Sequence, residues 1–247
     1  MNTQATLESL RHLKLKGMAD CYQAIIELPV NRHPASHELI AQLAQAEEQR
    51  RRTEKMKLFL RLSKLRYNTL LEEISCSAKR NLSQEQLLTL ADCSYISRGQ
   101  NILITGATGC GKSYLACALG HQACMKGYRV LYLNLNRFME KINTSKVDGS
   151  YLKILNQLEK THLVILDDFG LQPLEHQAKL ALLQLLEDRY GNKPVIITSQ
   201  LPVGKWHEYL NEPTLADAIL DRLTANAHRF ELKGESLRNS KMKKEKQ

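Results

Sequence analysis

The chain has 247 residues, 43% of them hydrophobic and 25% charged, enough for one large domain or a core domain with a smaller companion. No apolar run approaches the length of a membrane span, and residues 1–4 lack the basic-then-hydrophobic pattern of a secretory signal, so a cytoplasmic location is expected. The net charge of +9 points instead to a polyanionic partner.

Residues 1–30 read as helices, with apolar positions at Leu7, Leu10, Leu13, Met18, Tyr22, Ile25 and Ile26 and a bend expected at Gly17. Pro29 and Pro34 interrupt the pattern, and Ser36 can cap a helix beyond them. From residue 37 to about 66 there is neither proline nor glycine, which predicts one long helix or two abutting ones. In its second half, over 50–66, Arg50, Arg51, Arg52, Lys55, Lys57, Arg61, Lys64 and Arg66 stand against a single acid, Glu54. Such a one-signed run suits contacts to a phosphate backbone, although a solvated helix face has the same composition. Arg50, Arg51, Arg52, Lys55, Lys57, Arg61 and Lys64 are the candidate DNA contacts.

Residues 67–98 read as a connector, with the domain boundary expected between about 67 and 80. Ser83 and Gln86 form a capping box for a short helix over Gln84–Ala91. Tyr95 and Ile96 could wall an adenine pocket or pack in the core. From residue 99 strands and helices alternate, the signature of an α/β fold with a parallel sheet.

An apolar run at 101–105 leads into Gly106-Ala107-Thr108-Gly109-Cys110-Gly111-Lys112-Ser113, and Tyr114 and Leu115 open an apolar helix behind it. Strand, glycine loop and helix in this order make a phosphate-binding loop. The glycines let successive N–H groups point at one anion, and the helix N-terminus adds positive potential. Lys112 is placed for the terminal phosphates and Ser113 for a magnesium ion. The second strand is expected at 129–133, helical segments at 137–142 and 151–160, and the third strand at 162–166, ending in Asp167-Asp168. Asp167 can hold the metal with Ser113, and Asp168 can orient or deprotonate an attacking water. A helix over about 175–189 precedes a fourth strand at 195–198, leading to Gln200, which could sense a γ-phosphate or cap the Leu201-Pro202 turn. Arg222, on a short helix at 217–223, could pair with Asp221 or act as an arginine finger on a neighbouring subunit. The six cysteines show no metal-ligand spacing and read as reduced thiols.

Taken together, the glycine loop, Leu166-Asp167-Asp168-Phe169-Gly170, Ile197-Thr198-Ser199-Gln200-Leu201-Pro202, Asp221-Arg222-Leu223, His228-Arg229-Phe230-Glu231-Leu232 and Gly234-Glu235-Ser236-Leu237-Arg238 resemble a known family. It is the IstB type of AAA+ ATP-binding helper proteins of insertion sequences, close to the DnaC and DnaI helicase loaders. The resemblance implies a P-loop NTPase of the ASCE class, a three-layer α/β sandwich with an extra strand between the loop strand and the acid-bearing strand's partner. It implies ATP and Mg2+ as cofactors, an ATPase slow enough to serve as an assembly switch, and a homo-oligomer with ATP between subunits. Gln200 becomes the matching position for the first sensor and Arg222 for the trans-acting finger, while Arg229 is only a weak match to a second sensor. A helical N-terminal domain at 1–75 would engage duplex DNA or a partner transposase of the IstA type, followed by a connector at 76–98, the ATPase domain at 99–234 and a basic tail at 235–247. The expected role is ATP-dependent assembly on target DNA that delivers or stimulates the transposase. A replicative helicase loader and a nucleotide-binding adaptor share these features; a metabolic kinase would need an acceptor pocket and an arginine-rich lid.

Overall fold

A computed structural model describes residues 3–237, leaving aside the side chains of 146 and 147. The tail expected from 235 onward therefore lies, from residue 238, outside the described residues. The chain divides into two compact units, Met1–Leu58 and Phe59–Gln247.

The first unit holds α1 (Thr3–His12), α2 (Lys16–Ile26) and most of α3 (Ser36–Ser63), a single continuous helix whose last residues belong to the second unit. The bend expected at Gly17 falls earlier, at Lys14, whose φ is +60°. Gly17 sits in the first turn of α2, where an added Cβ would lie 2.6 Å from the Ala46 carbonyl oxygen and 2.8 Å from Glu47 Cα. Its glycine serves a backbone-to-backbone approach. The Gly17 N–H donates to the Glu47 carboxylate at 2.7 Å, and that buried carboxylate also accepts from Arg50 at 2.9 Å and Arg51 at 2.7 Å. These hydrogen bonds, Arg50's first, hold the Glu47 carboxyl down at about 2.

The second unit is a parallel five-stranded sheet of order β2-β3-β4-β1-β5 with helices on both faces. Its strands are β1 (Asn101–Gly106), β2 (Val130–Asn134), β3 (Leu163–Phe169), β4 (Val195–Ser199) and β5 (Ala227–Leu232). The strand inserted between the loop strand and the acid-bearing strand is β4, which is itself the acid-bearing strand's partner. β1, β3 and β4 are apolar and almost wholly buried, as central strands of a doubly covered sheet must be. β5 escapes an apolar-run search because its pattern alternates, with Phe230 and Leu232 buried and Arg229 and Glu231 exposed, as befits an edge strand.

One face of the sheet is covered by residues 59–98, which carry α4 (Gln84–Ala91) and α5 (Ser94–Ser97), and by α6 (Lys112–Met125). Because α6 is sandwiched between the sheet and this segment, it is buried nearly all round and shows no amphipathic stripe. Tyr95 and Ile96 belong to this core, 1% and 4% exposed, so they do not wall a pocket. The opposite face is covered by α7 (Leu135–Asp148), α8 (Tyr151–Glu159), α9 (His176–Glu187), α10 (Trp206–Leu210) and α11 (Pro213–Thr224). Buried Arg189 ties this layer together by donating to the carbonyls of Leu158, Thr161, His162 and Pro194.

Candidate nucleotide-binding site

The loop between β1 and α6 turns on three glycines with positive φ, at +144° for Gly106, +83° for Gly109 and +94° for Gly111. An L-residue resists these angles, and the surroundings leave no space either. A Cβ on Gly106 would collide with the Leu232 carbonyl of β5, and one on Gly109 with Ser236. The loop is braced from outside. Arg80 donates to the Cys110 carbonyl at 3.0 Å and to the Ser75 carbonyl, and the Leu237 N–H donates to the Gly109 carbonyl at 3.0 Å. Arg80 lies in a segment that no local pattern marks, and Leu237, although inside the 234–238 motif, carries no side-chain chemistry that would point to the loop.

α6 begins at Lys112, and its first N–H groups face the loop, the arrangement that attracts anions. Lys112 folds back so that Nζ donates to the Ala107 carbonyl at 2.9 Å. The Ser113 hydroxyl donates to Asp167 Oδ1 at 2.7 Å. Asp167 is fully buried. Its Oδ1 also accepts from Thr198, its Oδ2 accepts from Tyr132, and Arg66 Nη1 lies 3.7 Å from Oδ2.

A register shift between Leu166 and Phe169 places both acids in a bulge of β3. Asp168 there has φ +65°, and its N–H donates to Thr198 Oγ1 at 3.2 Å. Such bulges re-aim side chains. Asp168 lines the pocket and its carboxylate accepts from Asn134 at 2.9 Å. Burial, followed by the neighbouring Asp167, raises the Asp168 pKa above the ordinary carboxylate value. Tyr132, Asn134 and Thr198 were missed in the sequence, although each stands near the C-terminal end of a parallel strand, where ligand-facing groups collect.

The loop, Asp168 and Gln200 open onto a cavity of about 840 Å3 that is also lined by Arg66, Tyr67, Glu73 and Leu237. Gln200 Oε1 accepts from the Thr108 hydroxyl at 2.8 Å, which ties the end of β4 to the glycine loop. Tyr114, the residue after Ser113, stacks obliquely on Tyr67 with ring centroids 5.8 Å apart and donates its hydroxyl to Glu73 at 3.0 Å. The cavity thus has a polar floor and an aromatic wall supplied by the segment before the sheet. Positive-φ glycines, a helix N-terminus, a buried lysine and a hydroxyl–carboxylate pair are the donor set that a nucleotide triphosphate and a divalent cation require, so the residues fit those groups.

Arg222 is not in this cavity. Its guanidinium pairs with Glu187 at the end of α9, in place of the considered Asp221, and donates to the Ala218 carbonyl at 2.8 Å. Arg229 is exposed on β5 and donates to the Thr224 carbonyl at 3.4 Å, apart from the pocket lining. Of the candidate DNA contacts, Arg50 and Arg51 are engaged by Glu47, and Lys57 pairs with Glu54 at 3.5 Å. Arg52, Lys55, Arg61 and Lys64 are exposed on α3 or at its end. The six cysteines are free, and burial pushes the thiols of Cys93 and Cys124 up to about 11 and 12. Among the described residues no cluster of His, Cys, Asp and Glu could hold a metal ion by itself, and no helix is long and apolar enough to cross a membrane.

Comparison with known proteins resolves the family. The model of the IstB-like ATP binding proteins matches residues 8–246. The chain belongs to that family. It is 41% identical over 244 residues to the insertion sequence ATP-binding protein y4pL of Sinorhizobium fredii, covering 99% of this chain and 100% of that one. Among solved structures it is similar in fold to the DnaC helicase loader, with a TM-score of 0.57 at 20% identity over 68% of this chain and 98% of that one. DnaA of Aquifex aeolicus, solved with AMPPCP bound, gives a TM-score of 0.57 at 21% identity over 74% of this chain and 56% of that one. This member of the IstB-like family therefore has the AAA+ P-loop architecture, and the cavity lies at its glycine loop.

Proposed function

We propose that this protein binds ATP with Mg2+, assembles into a homo-oligomer with nucleotide at the subunit interfaces, and uses that assembly on duplex DNA to deliver or stimulate a partner transposase. The observation that carries the nucleotide part is the Ser113–Asp167 hydrogen bond below a glycine loop that opens into the large cavity. Membership in a family of insertion-sequence ATP-binding proteins and the exposed cations of α3 support the rest.

Each residue then has a task. The loop N–H groups and Lys112 bind and orient the phosphates, with Lys112 exchanging the Ala107 carbonyl for a phosphate oxygen. Ser113 and Asp167 hold the metal. Asp168, steadied by Asn134, takes a proton from the attacking water, and its raised pKa makes it a better base than an ordinary aspartate. Gln200 joins the loop to the end of β4 through Thr108, as a sensor of the terminal phosphate must. Arg222 leaves Glu187 to meet the nucleotide of a neighbouring subunit. Bound Mg–ATP would supply the phosphoanhydride bond and the metal charge, and slow hydrolysis would time disassembly.

Duplex-DNA binding measured with and without ATP and Mg2+ tests this reading. Tighter binding with Mg–ATP is expected, and indifference to nucleotide refutes the transposition role. Mixing Arg222→Ala with Lys112→Ala subunits should restore part of the activity if the finger acts in trans. The likeness in fold to the DnaC helicase loader favours one second reading, a helicase loader. Paired pull-downs with a transposase and a replicative helicase separate the two.

A further inference from the structure

The phosphate-loop chemistry accounts for every group around Asp167 except one. Ser113 reaches Oδ1 from α6, Thr198 reaches Oδ1 from β4 and Tyr132 reaches Oδ2 from β2, all elements of the sheet and its first helix. Arg66 comes from elsewhere, the short stretch after α3. Lys64, at φ +55°, ends that helix, and Leu65 then packs into the core against α6, where a Cβ on Gly120 would lie 2.9 Å from its Cδ2. The Arg66 backbone is therefore held firmly. Its side chain is not: it is 46% exposed, while the carboxylate it approaches is fully buried. The guanidinium lies over the Tyr67 ring, 5.4 Å from its centroid, and lines the cavity. A hydrogen bond with Tyr132 raises its already high pKa, so it is a permanent cation.

A buried carboxylate needs a compensating positive charge. A divalent cation held by Ser113 and Asp167 brings two charges to the place where Arg66 already supplies one. The ion and the guanidinium repel each other, and only the guanidinium has a free path, since its side chain stands at the cavity edge.

We infer that Arg66 is a resident counter-charge for Asp167, displaced by the arriving metal and redirected toward the nucleotide phosphates. The exchange makes the turn after α3 respond to metal loading. Arg66 is thus a positioning residue, and this role rests on the reading of the cavity as a nucleotide site.

The test is a titration of the full-length protein with a fluorescent ATP analogue, in EDTA and across a Mg2+ series, for wild type, Arg66→Ala, Arg66→Gln, Arg66→Lys and Lys112→Ala. Removing one cation beside the metal carboxylate should lower the Mg2+ concentration at half-saturation by about tenfold, the effect of a close like charge. It should also weaken metal-free analogue binding several-fold, because a cation is lost from the cavity. Arg66→Lys, which keeps the charge, should restore most of both values. Arg66→Gln removes the charge while keeping most of the side chain's packing and should shift the Mg2+ midpoint in the same direction, which keeps the test valid if Arg66→Ala folds poorly. An unchanged or raised Mg2+ midpoint in both Arg66→Ala and Arg66→Gln overturns the inference. A wild type that gives no Lys112-dependent signal overturns the nucleotide reading instead.

Discussion

Arg80 offers the sharpest check on how the phosphate loop is held. Its guanidinium bridges the Cys110 carbonyl inside the loop and the Ser75 carbonyl outside it, and its Nη2 would lie 2.9 Å from a Cβ at Gly111. Arg80→Met keeps most of the packing and removes both hydrogen bonds. A hydrogen bond to a charged group contributes about 1.5–3 kcal/mol, and the partial exposure here favours the low end, about 1.5 kcal/mol for the bond to the loop itself. If that energy serves to preorganise the loop, it appears as lost affinity, and about 1.4 kcal/mol corresponds to a tenfold weaker dissociation constant. Fluorescent-nucleotide titration in saturating Mg2+ should therefore show roughly tenfold weaker binding, with the thermal midpoint moving by only a few degrees. A variant that melts much earlier yet binds nucleotide as tightly would refute the reasoning, since Arg80 would then be a structural clamp only.

Arg189→Met should lower the free energy of unfolding by at least about 3 kcal/mol, because four buried carbonyls lose one shared donor at about 1–3 kcal/mol each without full additivity; a urea midpoint within error of wild type would contradict this. Glu47 has a folded pKa of about 2, depressed below its ordinary value of 4.5, so its contribution is fully present above pH 4.5 and is lost as pH falls toward 2. Acid titration followed by circular dichroism should show a steeper loss between those values in wild type than in Glu47→Gln. Asp168→Asn should keep nucleotide affinity within about threefold, a difference well under 1 kcal/mol, and reduce turnover at least about a hundredfold, as general-base loss does; retained phosphate release would remove Asp168 from the chemistry. Replacing Arg52, Arg61 and Lys64 together by alanine should reduce the salt slope of duplex-DNA binding by about 2–3, near 0.9 per phosphate contact. An unchanged slope would move the DNA surface away from α3.

The phosphate loop and its carboxylate were legible because their chemistry is local. A glycine-rich turn must follow a strand and open a helix, and a metal carboxylate must end an apolar strand. Ser113 and Asp167 could thus be paired from spacing, and they lie 2.7 Å apart. The donors that complete the site were not legible in the same way. Arg66, Arg80 and Leu237 come from segments before and after the sheet, and nothing in their neighbours' periodicity says that those segments meet at the loop. The same limit explains Arg222, whose nearest acid in sequence is Asp221 but whose partner is Glu187, supplied by packing of α11 on α9. It explains Arg50 and Arg51 as well. A run of arginines reads as a binding surface, whereas one buried glutamate on the same helix face engages two of them. Neutralising Arg50 and Arg51 together would leave that glutamate without a counter-charge, so a weakened double variant would report on folding before it reported on DNA.

The sheet order explains why so many elements must agree at Asp167. With β4 inserted between β3 and β1, the acid-bearing strand lies two strand spacings, about 9.6 Å, from the strand that launches the loop. Ser113 narrows that gap from α6, and Thr198 fills it from β4 by bonding both to the Asp167 carboxylate and to the Asp168 N–H. The inserted strand is therefore a mechanical part of the site as well as a spacer. A shift of β4 along its neighbours would disturb the Asp167 carboxylate through Thr198 and the glycine loop through Gln200 and Thr108 at the same time. Under the proposed function these two contacts, one at Asp167 and one at the loop, let the strand report phosphate occupancy to the α10–α11 layer beyond it. That layer carries Arg222, so under the proposed function the path from the glycine loop to the residue that would meet a neighbouring subunit runs along β4.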